Sequence, residues 1–93
     1  MEKLVIPEYI AFRKLLNKII LLNLKDRRFH IIEGGGIEVI ELIEKGVNKN
    51  EDILNFLISQ YDPSFKNKIR EDVEEFIESC IKLGILINEG GEV

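Results

Sequence analysis

The sequence has few of the residues on which catalytic and metal sites usually depend. Its 93 residues include one cysteine, Cys80, and one histidine, His30. A single cysteine excludes an internal disulfide bond and a zinc site built from several cysteines. Without a second histidine, the serines lack the partners needed for a nucleophilic relay. We therefore expect no catalytic residues, no metal ligands and no cofactor, and we expect that the protein is not an enzyme.

Long apolar segments are also missing. The longest unbroken apolar run is Ile19–Leu22, whereas a membrane-spanning helix needs about 20 apolar residues. The N-terminus lacks the apolar core and small-residue cleavage site of a signal peptide. These features predict a cytoplasmic protein that does not bind a membrane. The length predicts one domain that covers residues 1–93.

Charge is distributed unevenly along the chain, although the formal net charge is only −4. Residues 1–46 contain eight basic and seven acidic residues, whereas residues 47–93 contain five and ten. The basic excess is greatest between Arg13 and Arg28, where Asp26 is the only acid. This distribution fits either a solubilising surface or a basic patch for an acidic partner. The net negative charge argues against nucleic acid as a partner.

Three segments near the start of the chain have the composition of β-strands. They cover residues 9–14, 18–24 and 28–32. The second is a continuous apolar run, which is typical of a strand covered on both faces. The third alternates, so Phe29 and Ile31 face one side and the residues between them the other. Short connections between the segments predict an antiparallel three-stranded meander.

The hydrophobic period changes after the glycines at 34–36, which we expect to form a flexible turn outside any helix or strand. Apolar residues spaced by three and four then predict helices over 37–44, 51–61 and 63–83. Asn50 and Asp62 are the expected N-caps of the second and third helices. Residues 85–87 indicate a brief strand or docked tail, and residues 89–93 a frayed end. The predicted fold is an α+β winged helix-turn-helix, with a three-stranded antiparallel sheet followed by three helices.

Such a fold leaves three classes of binding function open. A small DNA-binding regulator is the alternative to peptide binding, but the third helix turns acidic after its first turn, which would repel phosphates. A second alternative is an interaction domain that forms a homodimer through its apolar sheet. Peptide binding fits better, because the edge of a small sheet offers unpaired backbone groups to an incoming strand. We therefore expect no nucleic-acid partner.

The stretch from Ile19 to Ile87 resembles the PqqD-like family, the recognition elements of ribosomally synthesised and post-translationally modified peptides (RiPPs). The similarity rests on IILLNLKDRRFHII, GGGIEVIELIEKG, NEDILNFLISQYD and IREDVEEFIESCIKLGIL, in the family's order and at nearly its spacings. The best match covers residues 72–77 and 83–86. Two features depart from the pattern: Ile40 stands where the family commonly has an aromatic residue, and Glu33 with three glycines replaces a small polar lead-in.

The resemblance implies a non-catalytic adaptor. Members of the family bind the leader region of a precursor peptide and present it to a modifying enzyme, such as a radical SAM maturase, a leader peptidase or a cyclase. The leader adds as a strand beside the third strand, in a cleft that the third helix closes. The peptide-binding residues implied here are Arg28, Phe29, His30, Ile31 and Ile32 on the strand, and Ile69, Arg70, Val73, Glu74 and Ile77 on the helix.

The mode of binding implied by the resemblance has two physical consequences. Backbone hydrogen bonds would supply most of the affinity, so side-chain changes on the outer face of the strand are expected to matter little. The strand register decides which amides meet the leader. The sequence leaves two alternatives, His30 alone or Phe29 together with Ile31.

Overall fold

Antiparallel strands and three helices alternate with short turns over residues 3–89, the part of the chain that the computed structural model describes. The elements in chain order are β1 (Lys3–Val5), β2 (Ile10–Lys14), β3 (Lys18–Asn23), β4 (Arg28–Glu33), α1 (Gly35–Glu44), α2 (Asn50–Ser59), a 3₁₀ turn (Pro63–Phe65), α3 (Lys66–Lys82) and β5 (Ile87–Glu89). The fold is therefore mixed α+β, with antiparallel sheets and three helices.

The predicted meander is formed by β2, β3 and β4, in that order and with antiparallel pairing. Its second hairpin is closed by a turn in which Arg27 adopts a positive φ of 62°. The buried side chain of Asn23 stabilises this turn, because its Oδ1 accepts hydrogen bonds from the amides of Lys25 and Asp26 at 2.9 and 3.4 Å. β4 consequently lies at one edge of the sheet.

The expectation that β3 is covered on both faces is wrong. Ile19 and Leu21 are fully buried, whereas Ile20 and Leu22 on the opposite face are only half-buried. The buried face packs into a core that includes Ile40 of α1 and Ile53 of α2, neither of which is exposed at all. The sheet therefore contributes one face to the core, and its other face borders the solvent.

The prediction of three strands followed by three helices is wrong in strand number and order. β1 precedes the meander, β5 follows α3, and the two pair antiparallel in a separate two-stranded sheet with Leu4 opposite Asn88. Ile85 and Leu86 are buried, but the strand begins only at Ile87. The end expected to fray at residues 89–93 begins with Glu89, the last residue of β5. Residues 90–93 lie outside the described part.

Helix boundaries also differ from the predictions. α1 begins at Gly35, so two of the three glycines expected in a turn belong to its first turn. Lys49 rather than Asn50 is the N-cap of α2, and α2 ends at Ser59. Asp62 does cap, although the element it caps is the 3₁₀ turn that leads into α3: its side chain accepts a hydrogen bond from the Ser64 amide at 2.8 Å. Over residues 3–89, no helix combines the length and apolarity needed to cross a bilayer.

Candidate peptide-binding groove

The hydrogen bonds of β3 determine which way the backbone of β4 faces. The Leu15 amide donates to the Lys18 carbonyl and the Leu24 amide to the Tyr9 carbonyl, both at 2.8 Å. In an antiparallel ladder, hydrogen-bonded positions recur at every second residue. Positions 18, 20, 22 and 24 of the chain therefore direct their backbone groups towards β2, and positions 19, 21 and 23 direct theirs towards β4.

The same alternation continues into β4. The partners of positions 19 and 21 are Ile32 and His30, whose backbone groups therefore bond to β3. Phe29 and Ile31 direct their amides and carbonyls to the free edge of the sheet. Within residues 3–89, no backbone hydrogen bond ends on these outward groups. The structure thus selects Phe29 together with Ile31 from the two registers that the sequence left open.

A cavity of about 320 Å³ lies beside the start of α1, just after β4 ends. Its walls come from the start of α1, the end of α2 and the residues just beyond it, and the first two-thirds of α3. The residues that line it are Gly35, Gly36, Glu38, Val39, Leu57, Tyr61, Ile69, Asp72, Val73 and Phe76. Gly34 alone separates the last residue of β4 from α1. We call the free edge of β4 together with this cavity the groove.

Gly36 brings α3 close to the end of β4. A Cβ atom at this position would lie 2.7 Å from the Phe76 ring and 2.9 Å from Cγ2 of Ile32, well inside normal contact distance. Any larger residue at position 36 would collide with the Phe76 ring, so glycine is needed for this ring to pack against the start of α1. Phe76 is half-buried, so it contributes to the core and to the cavity at once.

The rim of the cavity is polar and acidic. Tyr61 donates its hydroxyl hydrogen to Glu38 at 3.1 Å, and this bond raises the pKa of Tyr61 above its usual value. Asp72 pairs with Lys68 at 3.0 Å, one helical turn earlier. An apolar floor with a few polar groups at its edge is the usual character of a site that binds a small or extended ligand.

The strand residues predicted to bind a peptide lie on both faces of β4. Phe29 and Ile31 are 69% and 59% exposed, and Ile32 is buried. His30 is half-buried on the inner face, and its Nε2 atom is buried without a hydrogen-bond partner among the described residues. Arg28 is exposed where the strand begins.

The helix residues predicted for the same site are not all brought together. Ile69 and Val73 line the cavity. Arg70 instead reaches α2, where its Nη1 lies 3.4 Å from Glu51, and it also pairs with Glu74 at 3.8 Å. Ile77 is buried in the core. A role for Arg70, Glu74 and Ile77 in peptide contact stays a prediction.

Sequence reasoning missed Asp72 and Phe76, which share the cavity wall with Ile69 and Val73. The spacing 69, 72, 73, 76 is the i, i+3, i+4, i+7 pattern of one helix face. This spacing is visible in the sequence, but it identifies the cavity residues only once the side of α3 that faces the groove is known.

The single thiol of the chain, that of Cys80, is poorly placed for covalent chemistry. Cys80 is buried in the core, and burial raises the pKa of its thiol to about 11. A thiol held in its protonated form is a poor nucleophile and a poor metal ligand. Between residues 3 and 89, no group of three or more histidine, cysteine, aspartate or glutamate side chains is arranged to hold a metal ion.

Comparison with known proteins finds a likeness in structure and none in sequence. No family model and no curated protein matches the chain in sequence. In structure the chain is similar to TbiB1, solved in complex with the TbiA(beta) leader peptide, with a TM-score of 0.76 and 18% sequence identity. The match covers 95% of this chain and 98% of that chain. At this identity the likeness shows a common fold.

Proposed function

We propose that the protein is a non-catalytic adaptor of the PqqD-like, RiPP-recognition type. In this proposal an extended leader peptide adds to the free edge of β4, and the adaptor presents the bound precursor to a modifying enzyme. The observation that carries the proposal is the outward pair of backbone groups at Phe29 and Ile31, which have no hydrogen-bond partner within residues 3–89 and belong to the strand that leads through Gly34 into the wall of the cavity. β-strand addition of this kind takes general affinity from the backbone and specificity from side-chain pockets.

Two further observations support peptide over DNA. TbiB1, to which the chain is similar in structure over nearly its whole length, was solved in complex with a leader peptide. The exposed residues of α3 include Glu71, Asp72, Glu74 and Glu75, which would repel a phosphate backbone in a winged helix-turn-helix complex. We therefore propose that the partner binds at the strand edge, and that the winged helix-turn-helix arrangement expected from the sequence serves peptide binding.

The experiment is calorimetric titration with the synthetic leader of a short precursor encoded in a reading frame beside this gene. Ile31→Pro removes an outward amide without breaking the ladder to β3, because proline is tolerated at a sheet edge whose N–H faces solvent. Ile31→Ala is the matched control, since it trims the same side chain and keeps the amide. We expect Ile31→Pro to abolish binding, and Ile31→Ala to retain measurable binding.

His30→Pro provides a contrast on the inner register. Its amide bonds to β3, so this change is expected to lower the melting temperature and disrupt the sheet. If Ile31→Pro and Ile31→Ala bound the leader equally well, the amide would play no part and the proposed strand addition would be refuted. Tight binding of duplex DNA in the same buffer would favour the regulator instead.

A further inference from the structure

The outer face of β4 is more apolar than an edge strand exposed to water normally is. Phe29 and Ile31 are 69% and 59% exposed, and they lie directly opposite Leu22 and Ile20 of β3 on the same face. Natural edge strands usually carry charged or otherwise protective residues, because an apolar edge promotes unwanted pairing. These four residues form an apolar stripe along the outer face.

A peptide strand that adds to β4, which we call the guest strand, would place some of its side chains on this stripe. A residue that exchanges hydrogen bonds with Phe29 or Ile31 lies directly opposite it, and its side chain projects from the same face of the sheet, with Cβ atoms about 4.5–5.5 Å apart. The residues between them project from the inner face, on the side of the helices and the cavity. The guest therefore meets apolar surface at consecutive positions, whereas a strand with one solvated face meets it only at alternate ones.

The charges at the two ends of β4 differ. Arg27 and Arg28 are exposed at the start of β4 and have no ion-pair partner within the described residues. Glu33 is exposed at the end of the strand, opposite Lys18, and it forms no ion pair within the described residues; Glu38, bonded to Tyr61, and Asp72, paired with Lys68, lie on the rim of the cavity. A guest strand with an acidic residue at the Arg28 end and a basic residue at the Glu33 end would complement this distribution.

We infer that the groove selects an extended peptide segment with consecutive apolar side chains, which covers the outer stripe as well as the cavity, and with an acidic and a basic residue at its opposite ends. The inference rests on the proposed function and narrows its substrate class. It also replaces the expectation that outer-face side chains matter little. Phe29 and Ile31 become determinants of specificity in addition to supplying backbone hydrogen bonds.

Selection from a display library of random linear peptides tests both the inference and the proposed function on which it rests. We expect enriched sequences to contain an uninterrupted apolar block flanked by one acidic and one basic residue in a constant order. The doubly substituted protein Arg28→Glu, Glu33→Lys should enrich the opposite order of charges. Enriched peptides that alternate apolar and polar residues, or that lack charge order, would overturn the inference while leaving strand addition intact. No enrichment at all would count against the proposed function itself.

A second measurement uses one peptide enriched on the unmodified protein. Phe29→Thr with Ile31→Thr keeps strand-forming residues and the outward amides but makes the stripe polar. We expect the affinity to fall about two- to thirty-fold, the scale of two lost cross-strand pairs. Leu16→Thr is the matched control, since it removes an exposed leucine from the hairpin between β2 and β3 and should not change the affinity. Equal affinity of the double variant would refute the role of the stripe.

Sedimentation tests the competing occupant of the stripe. If a second copy of the chain covered it, the unmodified protein would dimerise with increasing concentration and the double threonine variant would not. We expect both proteins to sediment as monomers. A dimer that this variant abolishes would overturn the inference.

Discussion

Replacement of Gly36 by alanine tests the close contact between the start of α1 and the Phe76 ring, which lines the cavity. The new Cβ would lie 2.7 Å from Cε1 of Phe76, 2.9 Å from Cζ of the same ring, and 2.9 Å from Cγ2 of Ile32. Carbon atoms pack best at about 3.5–4.0 Å, so the ring would have to retreat by roughly 1 Å. Ile32 is buried and Phe76 packs against the core, so neither side chain can move away without losing contacts.

The neighbouring Gly35→Ala variant isolates the cost of this clash. Gly35 lies in the same first turn of α1, and its Cβ would meet nothing within 4 Å. Alanine there should stabilise the helix by up to about 1 kcal/mol, because glycine is the poorer helix former. Overpacking at Gly36 should cost about 1–3 kcal/mol. We expect Gly36→Ala to be the less stable variant by about 1–3 kcal/mol, since the gain in helix propensity largely cancels between them.

Thermal and urea unfolding of the two variants give this difference directly. In a domain of this size each kcal/mol shifts the melting temperature by about 4–8 °C. In a Phe76→Leu background the ring is absent, and Gly36→Ala should then cost much less. The coupling in this double-mutant cycle is the interaction energy of the contact. Equal stability of Gly36→Ala and Gly35→Ala would refute the reasoning, because it would mean that the Phe76 ring does not pack tightly against the start of α1.

Three other predictions concern single side chains. Cys80 should react with Ellman's reagent at pH 8 only as fast as the protein unfolds, because the thiol is buried and its pKa is raised to about 11; rapid labelling of the folded protein would contradict its burial. The hydrogen bond from the Ser64 amide lowers the pKa of Asp62 below its usual 3.8. The charged carboxylate therefore stabilises the fold above pH 3.8, and this stabilisation is lost as the pH falls through the lowered pKa. Asp62→Asn should therefore melt below the unmodified protein at pH 7, and the two curves should converge in acid; a constant difference at all pH values would refute the linkage. His30→Leu should raise the melting temperature, by the equivalent of up to about 1 kcal/mol, because it removes a buried nitrogen that has no partner among the described residues; a lower melting temperature would show that the ring makes a bond the variant loses.

Much of the groove's scaffold could be predicted from local sequence patterns. Period-two and apolar runs located the three strands of the meander, and spacings of three and four located three helices, because each pattern depends only on side chains close in the chain. Asp62 before Pro63 was recognised as a cap for the same reason. The buried environment of Cys80 followed from its place on the apolar face of α3.

Tertiary structure decided the features that make the groove specific. Alternation in β4 shows two faces but not which amides point outwards, since this depends on how the β2–β3 hairpin closes at Leu15 and Lys18. The position of Arg70 beside Glu51 rather than in the groove depends on how α3 crosses α2. The pairing of β1 with β5 joins two three-residue segments from opposite ends of the chain through backbone hydrogen bonds. Their side chains are too few to form a pattern, and local sequence carries no record of a contact made at that distance along the chain.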